Sequence, residues 1–333
     1  MTPAPPPTDG NATIASRDRD VRSRFGRAAR RFVPLAILIG PLSMVSAIEP
    51  SFLSPYALNV LADESSVILI LSTAQTVVIL MGGIDLSMTA IASLASVLIA
   101  LVLPATGSGG ILGVLVLTTL IGALQGLIHT RTQIPSFIVT LAGLGVWSGL
   151  ALTIAQTTIP VTSSYAAVSW FARSSMGIPN SFNLALAALI LLALAFRLLP
   201  LGRHVYAIGL AERVALFSGL HVGRIKIFGF ALTGLSSGLA GLTMLARTSS
   251  GSPTIADSLL LPSIAAVVIG GTSITGGVGG LGRTLIGALT ITVLRVGFAA
   301  IGVAPAYEPI AYGMVVIVAV ALTIDRSKAH IAK

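Results

Sequence analysis

Asp85 is the residue whose type and position ask most of chemistry. It lies in Met81-Gly82-Gly83-Ile84-Asp85-Leu86-Ser87, between two long apolar runs. An ionisable side chain at membrane depth is expensive to keep and normally faces a partner or a water-filled cavity. Two roles fit the spacing. The paired glycines loosen one helix, and Asp85 with Ser87 can cap the next by accepting from its free N–H groups. Alternatively both line or gate a solute path, for which Gln75, Gln125 and Trp147 are the further polar candidates. An ion-coupled transporter would ask Asp85 to carry a proton or a sodium ion.

Two other patterns match known motifs and fail on context. Residues 277–282 fit G-x-G-x-x-G. They follow a lipid-soluble run rather than a strand, and no acidic residue stands about 20 positions on to hold a ribose. Residues 234–238 fit G-x-S-x-G around Ser236, yet inside an apolar helix small residues serve close helix packing. The four histidines, His129, His204, His221 and His330, fall at span ends or in loops, so Ser236 has no buried base. The chain contains no Gly-Lys dipeptide and therefore no phosphate loop. Its lack of cysteine excludes thiolate metal sites and a cysteine nucleophile. The expectation is a protein with no catalytic residue, no cofactor and no metal.

What must position such residues is a membrane bundle. Hydrophobic residues make up 54% of the chain and charged ones 9%, with a mean hydropathy of +0.96. Soluble domains carry roughly a quarter charged residues. Ten apolar runs recur, at 34–48, 58–80, 86–103, 111–128, 137–154, 184–199, 227–245, 262–273, 284–301 and 309–324. In lipid an open chain satisfies its own backbone only as helix. The expected fold class is all-α, a polytopic integral membrane protein of about ten transmembrane helices. A permease domain, 33–325, would lie between a disordered basic cytoplasmic tail, 1–32, and a short cytoplasmic tail, 326–333.

Charge sets the orientation. Seven arginines, Arg17, Arg19, Arg22, Arg24, Arg27, Arg30 and Arg31, directly precede the first apolar run. That is the usual place of a cytoplasmic orientation signal, so the net charge of +9 does not imply nucleic acid. With the amino terminus inside and sides alternating over ten spans, seventeen basic residues fall inside, only Arg173 and Arg247 outside, and Arg295 within a span. Both termini should be cytoplasmic. A cleaved leader, with residues 33–47 as its core, is the other reading of the first run, but some thirty residues precede that core.

Two regions break the regularity. The run 262–273 is short for a bilayer and continues into Gly276, Gly277, Gly279, Gly280 and Gly282, a composition that suits a broken or re-entrant helix. Helix-break glycines are therefore expected at Gly82, Gly83, Gly270, Gly271, Gly276 and Gly277. The loop 200–226 mixes Arg203, Glu212, Arg213, Arg224 and Lys226 with Val214, Leu216, Phe217 and Leu220. That pattern reads either as a short surface helix with one side free to dock a partner or as a solvated loop.

Four stretches together resemble the permease subunits of bacterial ATP-binding-cassette importers of the ribose type, which serve pentoses, hexoses and related compounds. They are residues 75–87 with Gly-Gly-Ile-Asp-Leu-Ser, 134–141, 202–209 and 264–273. The resemblance runs from about residue 57 to 325. It implies a plasma-membrane (inner-membrane) protein that works with a second permease copy, identical or homologous, a cytoplasmic ATP-binding subunit and a periplasmic or extracellular sugar-binding protein. It also implies that the loop around 212–219, with Arg203, Glu212, Ala215, Ser218 and Gly219, is the element the ATP-binding subunit pushes. Departures from the family pattern cluster there and at helix starts. The chain has Gly209-Leu210-Ala211, Val214-Ala215 and Ser218-Gly219-Leu220 in the loop, Met88-Thr89 after Asp-Leu-Ser, and Leu260-Leu261-Pro262 before Ile-Ala-Ala. A different ATPase partner or a mixed permease pair would account for them.

Overall fold

The structure, a computed structural model, describes residues 34–162 and 164–323. The expected tails 1–32 and 326–333 lie outside the described residues. Among the described residues, thirteen α-helices follow one another: α1 (Pro34–Ile48), α2 (Pro55–Leu80), α3 (Met88–Thr106), α4 (Ser108–Thr132), α5 (Ser136–Ile154), the single turn α6 (Ser169–Ala172), α7 (Asn180–Leu198), α8 (Pro200–Leu210), α9 (Glu212–Phe217), α10 (Val222–Thr248), α11 (Leu260–Ile269), α12 (Leu281–Ala300) and α13 (Glu308–Thr323). Among the described residues, seven are long and apolar enough to cross a membrane: α2, α3, α4, α5, α7, α10 and α12. The protein is thus an all-α, polytopic membrane protein. Among the described residues, strand pairing amounts to two-residue contacts, of which that between Ile159–Pro160 and Ser250–Gly251 ties the loop after α5 to the end of α10.

Helix α2 is the axis of the bundle. Ser54 starts it, its Oγ accepting from the Ala57 N–H at 3.2 Å, with Pro55 in the first turn. From Ser65 to Met81 every residue is buried, because the helix is apolar or small all round and can be covered on every side. Helices α7, α10, α11 and α12 surround it. Its hydroxyls reach across: Ser72 donates to the Ser263 carbonyl at 3.0 Å, and Thr76 and Thr284 share a hydrogen bond of 2.7 Å. Such bonds hold helices together where lipid offers no hydrophobic drive. Leucines of α4, α5 and α7, among them Leu112, Leu120, Leu141 and Leu191, are by contrast exposed, which suits a surface solvated by hydrocarbon.

The G-x-S-x-G match around Ser236 serves packing. A methyl at Gly122 of α4 would strike the Phe230 carbonyl of α10, and one at Gly234 of α10 would strike the Thr118 carbonyl of α4. The two backbones touch along this seam, as small residues permit.

The run 262–273 does not stay helical to its end. Helix α11 stops at Ile269, Gly270 caps it, and Gly271 turns away with φ +82°. The following glycine segment travels on as irregular backbone until the Gly277 N–H donates to the Leu80 carbonyl at 2.9 Å, at the far end of α2. Thr272, Gly276 and Gly277 of this segment are buried, while Ile274 and Val278 are exposed, as suits irregular backbone at the end of the bundle. Helix ends therefore sort onto two faces. The starts of α2, α7 and α13 and the ends of α10 and α12 share one, called outer from the arginine distribution. The end of α2, the glycine segment, α8, α9 and the start of α10 share the inner one.

Candidate functional site

The path from α2 to α3 bends at Gly82, whose φ of +79° a side chain would strain. Helix α5 pins the bend: Ser136 Oγ accepts from the Ile84 N–H at 3.1 Å, and Thr140 Oγ1 donates to the Ile84 carbonyl at 3.2 Å. Asp85 is thereby held fully buried. Its Oδ1 accepts from the Ser87 N–H at 2.9 Å and the Ser87 hydroxyl at 2.7 Å, and its Oδ2 from the Thr233 hydroxyl of α10 at 2.6 Å.

This differs from the expected cap. Ser87 makes no side-chain cap to α3; it gives its proton to Asp85, which folds back on its neighbour and reaches out to α10. The Ser87 oxygen also lies 2.9 Å from the amide of Gln125. The near atom is Oε1, so the one hydroxyl proton has two acceptors, Asp85 Oδ1 and Gln125 Oε1, while Gln125 Nε2 finds no partner among the described residues. The Gln125 amide lies against Gly143 of α5, where a methyl would crowd it at 3.0 Å. One carboxyl group thus ties the break directly to α10, and through Ser87 and Ile84 to α4 and α5.

Of the expected path residues, the structure brings together Asp85, Ser87 and Gln125. Gln75 is fully buried in α2, with neither amide atom hydrogen-bonded. Trp147 packs on Ile91, Leu94, Ile121 and Ala151 with its indole N–H unpartnered. Thr233 was missed. A threonine in an apolar helix carries no signal until the opposing carboxyl group is known.

We expect Asp85→Ala to cost about 1–3 kcal/mol, the penalty of one orphaned buried donor, rather than three times that. Thr233 can turn its proton to the Phe230 carbonyl, 2.8 Å away, and Ser87 its own to Gln125, which leaves the Ser87 N–H alone. Thermal unfolding in detergent checks the size, and unchanged stability with unchanged uptake would make Asp85 dispensable.

On the inner face, the expected helix in the 200–226 loop is α9. It buries Ala215 and turns Val214, Leu216 and Phe217 outward, Phe217 being 88% exposed. Gly219, at φ +83°, ends it while the Leu220 N–H donates to the Ala215 carbonyl at 3.1 Å. Ser218 bonds back to the Val214 carbonyl at 2.8 Å, and Arg203 on α8 is exposed. A cavity of about 820 Å³ lies between α9, the end of α4 and the start of α10, lined by His129, Glu212 and Lys226 among others. The same three residues line a second, of about 200 Å³, that reaches Gly82, Gly83 and Ser136. The space beside α9 thus leads toward the break below Asp85. Helix α8 meets that break too. Gly209 lies against Leu80 and Gly277, and Tyr206 donates to the Gly279 carbonyl at 3.0 Å.

The outer face holds a charge cluster that the sequence reading did not single out. Arg247 of α10 pairs with Asp63 at 2.9 Å and with Glu64, both on α2. Arg295 of α12 lies 3.6 Å from Glu64 and 3.9 Å from Glu308 of α13. Ser181 of α7 donates to Asp63 at 2.6 Å. The adjacent acids Asp63-Glu64 and the intramembrane Arg295 were the available signal, since opposite charges at this depth seek each other. These side chains are 19–32% exposed, and pairs so placed contribute roughly 0–1 kcal/mol each. Stability alone is a weak reason for five charges here.

A bundle oily outside and polar within, broken at its axis and carrying an exposed amphipathic turn on one face, defines a membrane permease. A family model described as branched-chain amino acid transport system / permease component matches residues 57–320. The chain is 35% identical over 313 residues to the ribose import permease protein of Bacillus subtilis, with 92% of this chain and 96% of that one covered. It is 32% identical over 337 residues to the fructose import permease protein of Rhizobium meliloti, covering 94% and 92%. It is 29% identical over 295 residues to the D-allose transport system permease protein of Escherichia coli, covering 87% and 90%. The chain belongs to this family of transport-system permease components.

Proposed function

We propose that the chain is the membrane-spanning permease subunit of an ATP-binding-cassette importer for a small sugar. It would cross the inner membrane ten times with both termini in the cytoplasm, beside a second permease, identical or homologous. A cytoplasmic ATP-binding subunit would supply the energy, and a periplasmic or extracellular binding protein the sugar. Relatives whose names specify ribose, fructose and allose align over nearly the whole chain, which supports the substrate class.

The observation that carries the mechanism is the inner-face junction. The apolar side chains of α9 offer a ridge to a partner. A push on α9 passes through α8 to the backbone contact of Gly209 with Leu80 and Gly277, and so to the ends of α2 and the glycine segment. Both ends are unwound, so they give without bending a helix. The Asp85 group beyond the break then ties that motion to α3, α4, α5 and α10. Gln75 and Gln125 offer their amides to a sugar, and the cavity beside α9 is its exit.

An ion-coupled mechanism through Asp85 is not favoured, because three donors already close that carboxyl group. The test is uptake by the complete complex in vesicles. With ATP maintained, uptake of D-ribose, D-fructose or D-allose should continue after ionophores collapse the proton and sodium gradients. Uptake that stops with the gradients would overturn the proposal.

A further inference from the structure

The outer charge cluster surrounds a cavity. A space of about 400 Å³ is lined by Asp63, Glu64, Arg247 and Arg295 together with the apolar Val67, Met244 and Leu259. Its size lies toward the small end of the roughly 300–1,000 Å³ usual for small-molecule sites. We infer that this cavity is a polyol-recognising vestibule, which engages a monosaccharide by its hydroxyls and passes it to the buried amide of Gln75.

The chemistry of the walls matches the ligand. A sugar hydroxyl both donates and accepts, so a carboxylate takes its proton side and a guanidinium fork gives to its oxygen side. Asp63, Glu64 and Arg247 hold both kinds of group together. Val67, Met244 and Leu259 suit the C–H face of the ring. Because the ions are partly solvated, hydroxyls can replace one ion partner with another polar one, and no charge is stranded in lipid. A neutral apolar solute would break these pairs and return nothing. An anion or a cation would meet a cluster that already balances most of its charge.

Gln75 supplies the second, independent observation. It is fully exposure-free, and both its amide atoms lack a partner among the described residues, although such groups are normally satisfied. Gln75 follows Glu64 by eleven positions, three turns and about 20°, so the two share one stripe of α2 about 16 Å apart. Gly82 continues that stripe to the break at the inner end. A single face of the axial helix therefore runs from the charged mouth, past an amide with free hydrogen-bonding capacity, to the hinge.

The occupant rests on the permease reading, and the experiment separates the two. Purified protein in nanodiscs with its ATP-binding subunit is probed by saturation-transfer NMR with D-ribose, D-fructose and D-allose, in wild type and in Glu64→Gln, Asp63→Asn and Gln75→Leu. The same complexes, supplied with binding protein, are assayed for uptake and ATP hydrolysis. Wild type should give a sugar signal that Glu64→Gln and Asp63→Asn weaken at least tenfold. Uptake should fall in all three variants while binding-protein-stimulated ATP hydrolysis persists, a split that misassembly would not produce. Normal uptake with an unchanged or absent signal overturns the vestibule and leaves the permease standing. A sugar signal lost in the variants, with no uptake even in wild type, overturns the permease and leaves the vestibule. Parallel loss of uptake, hydrolysis and helical content in Glu64→Gln and Asp63→Asn would assign the cluster to folding and overturn the vestibule.

Discussion

Gly209→Ala is expected to cut sugar uptake by an order of magnitude while the protein still inserts. The residue is helical, so alanine suits its backbone, and the effect is steric alone. Its Cβ would lie against the Leu80 carbonyl and the Gly277 N–H, which are hydrogen-bonded to each other at 2.9 Å. Backbone cannot swing aside as a side chain does. Overpacking of this kind costs about 1–3 kcal/mol, and each 1.4 kcal/mol spent on displacing the junction is about tenfold in an equilibrium or a rate. Gly113→Ala is the control, since a Cβ there meets nothing within 4 Å. Within a helix that change should be neutral or stabilise by roughly 0.5–1 kcal/mol. Uptake by Gly209→Ala equal to that by Gly113→Ala would remove the contact from the mechanism.

The second large effect is expected from Glu212→Arg, which should uncouple uptake from ATP hydrolysis at little cost in stability. Glu212 opens α9, where a carboxylate suits the helix dipole, and accepts from Lys226 at 2.6 Å. It is half exposed, so losing the pair costs about 0–1 kcal/mol. Its reversal nevertheless places a cation beside Arg213 and Lys226 on the ridge proposed to meet the ATP-binding subunit. Uptake should drop about tenfold, as a docking defect of 1.4 kcal/mol would produce. Thermal unfolding of the isolated subunit should barely move. Adding Lys226→Glu restores the local pair with its signs exchanged. Recovery of uptake in that double variant would show that Glu212 acts through Lys226 and not through a partner.

Much of the bundle was legible because hydropathy reports a segment's surroundings directly. The run 34–48 coincides with α1, and the other long runs fall within a few residues of their helices. Where a glycine or proline decides the end, hydropathy overshoots. The run 262–273 continues past Ile269 because Gly270, Gly271 and Thr272 are small enough to read as apolar. The candidate site was half legible for a related reason. Asp85, Ser87 and Gln125 stand out as polar groups in oily strings, but their mutual contacts, and Thr233, depend on how helices far apart in sequence lie together. Of the two roles open to Ser87, the cap fails on the same account. A local rule makes it a helix cap, whereas the carboxyl group beside it offers a stronger acceptor. The outer cluster escaped because its acids and arginines are spread over four helices.

The glycine seam between α4 and α10 limits how such a machine can move. With carbonyls of each helix seated against alpha carbons of the other at Gly122 and Gly234, neither can slide or roll past its neighbour without one backbone climbing over the other. The two must travel as a single plank. Any rocking between the membrane faces then has to be absorbed at the unwound stretches around Gly82 and after Ile269, which touch where Gly276 packs on Gly82 and can act as the joints of the frame.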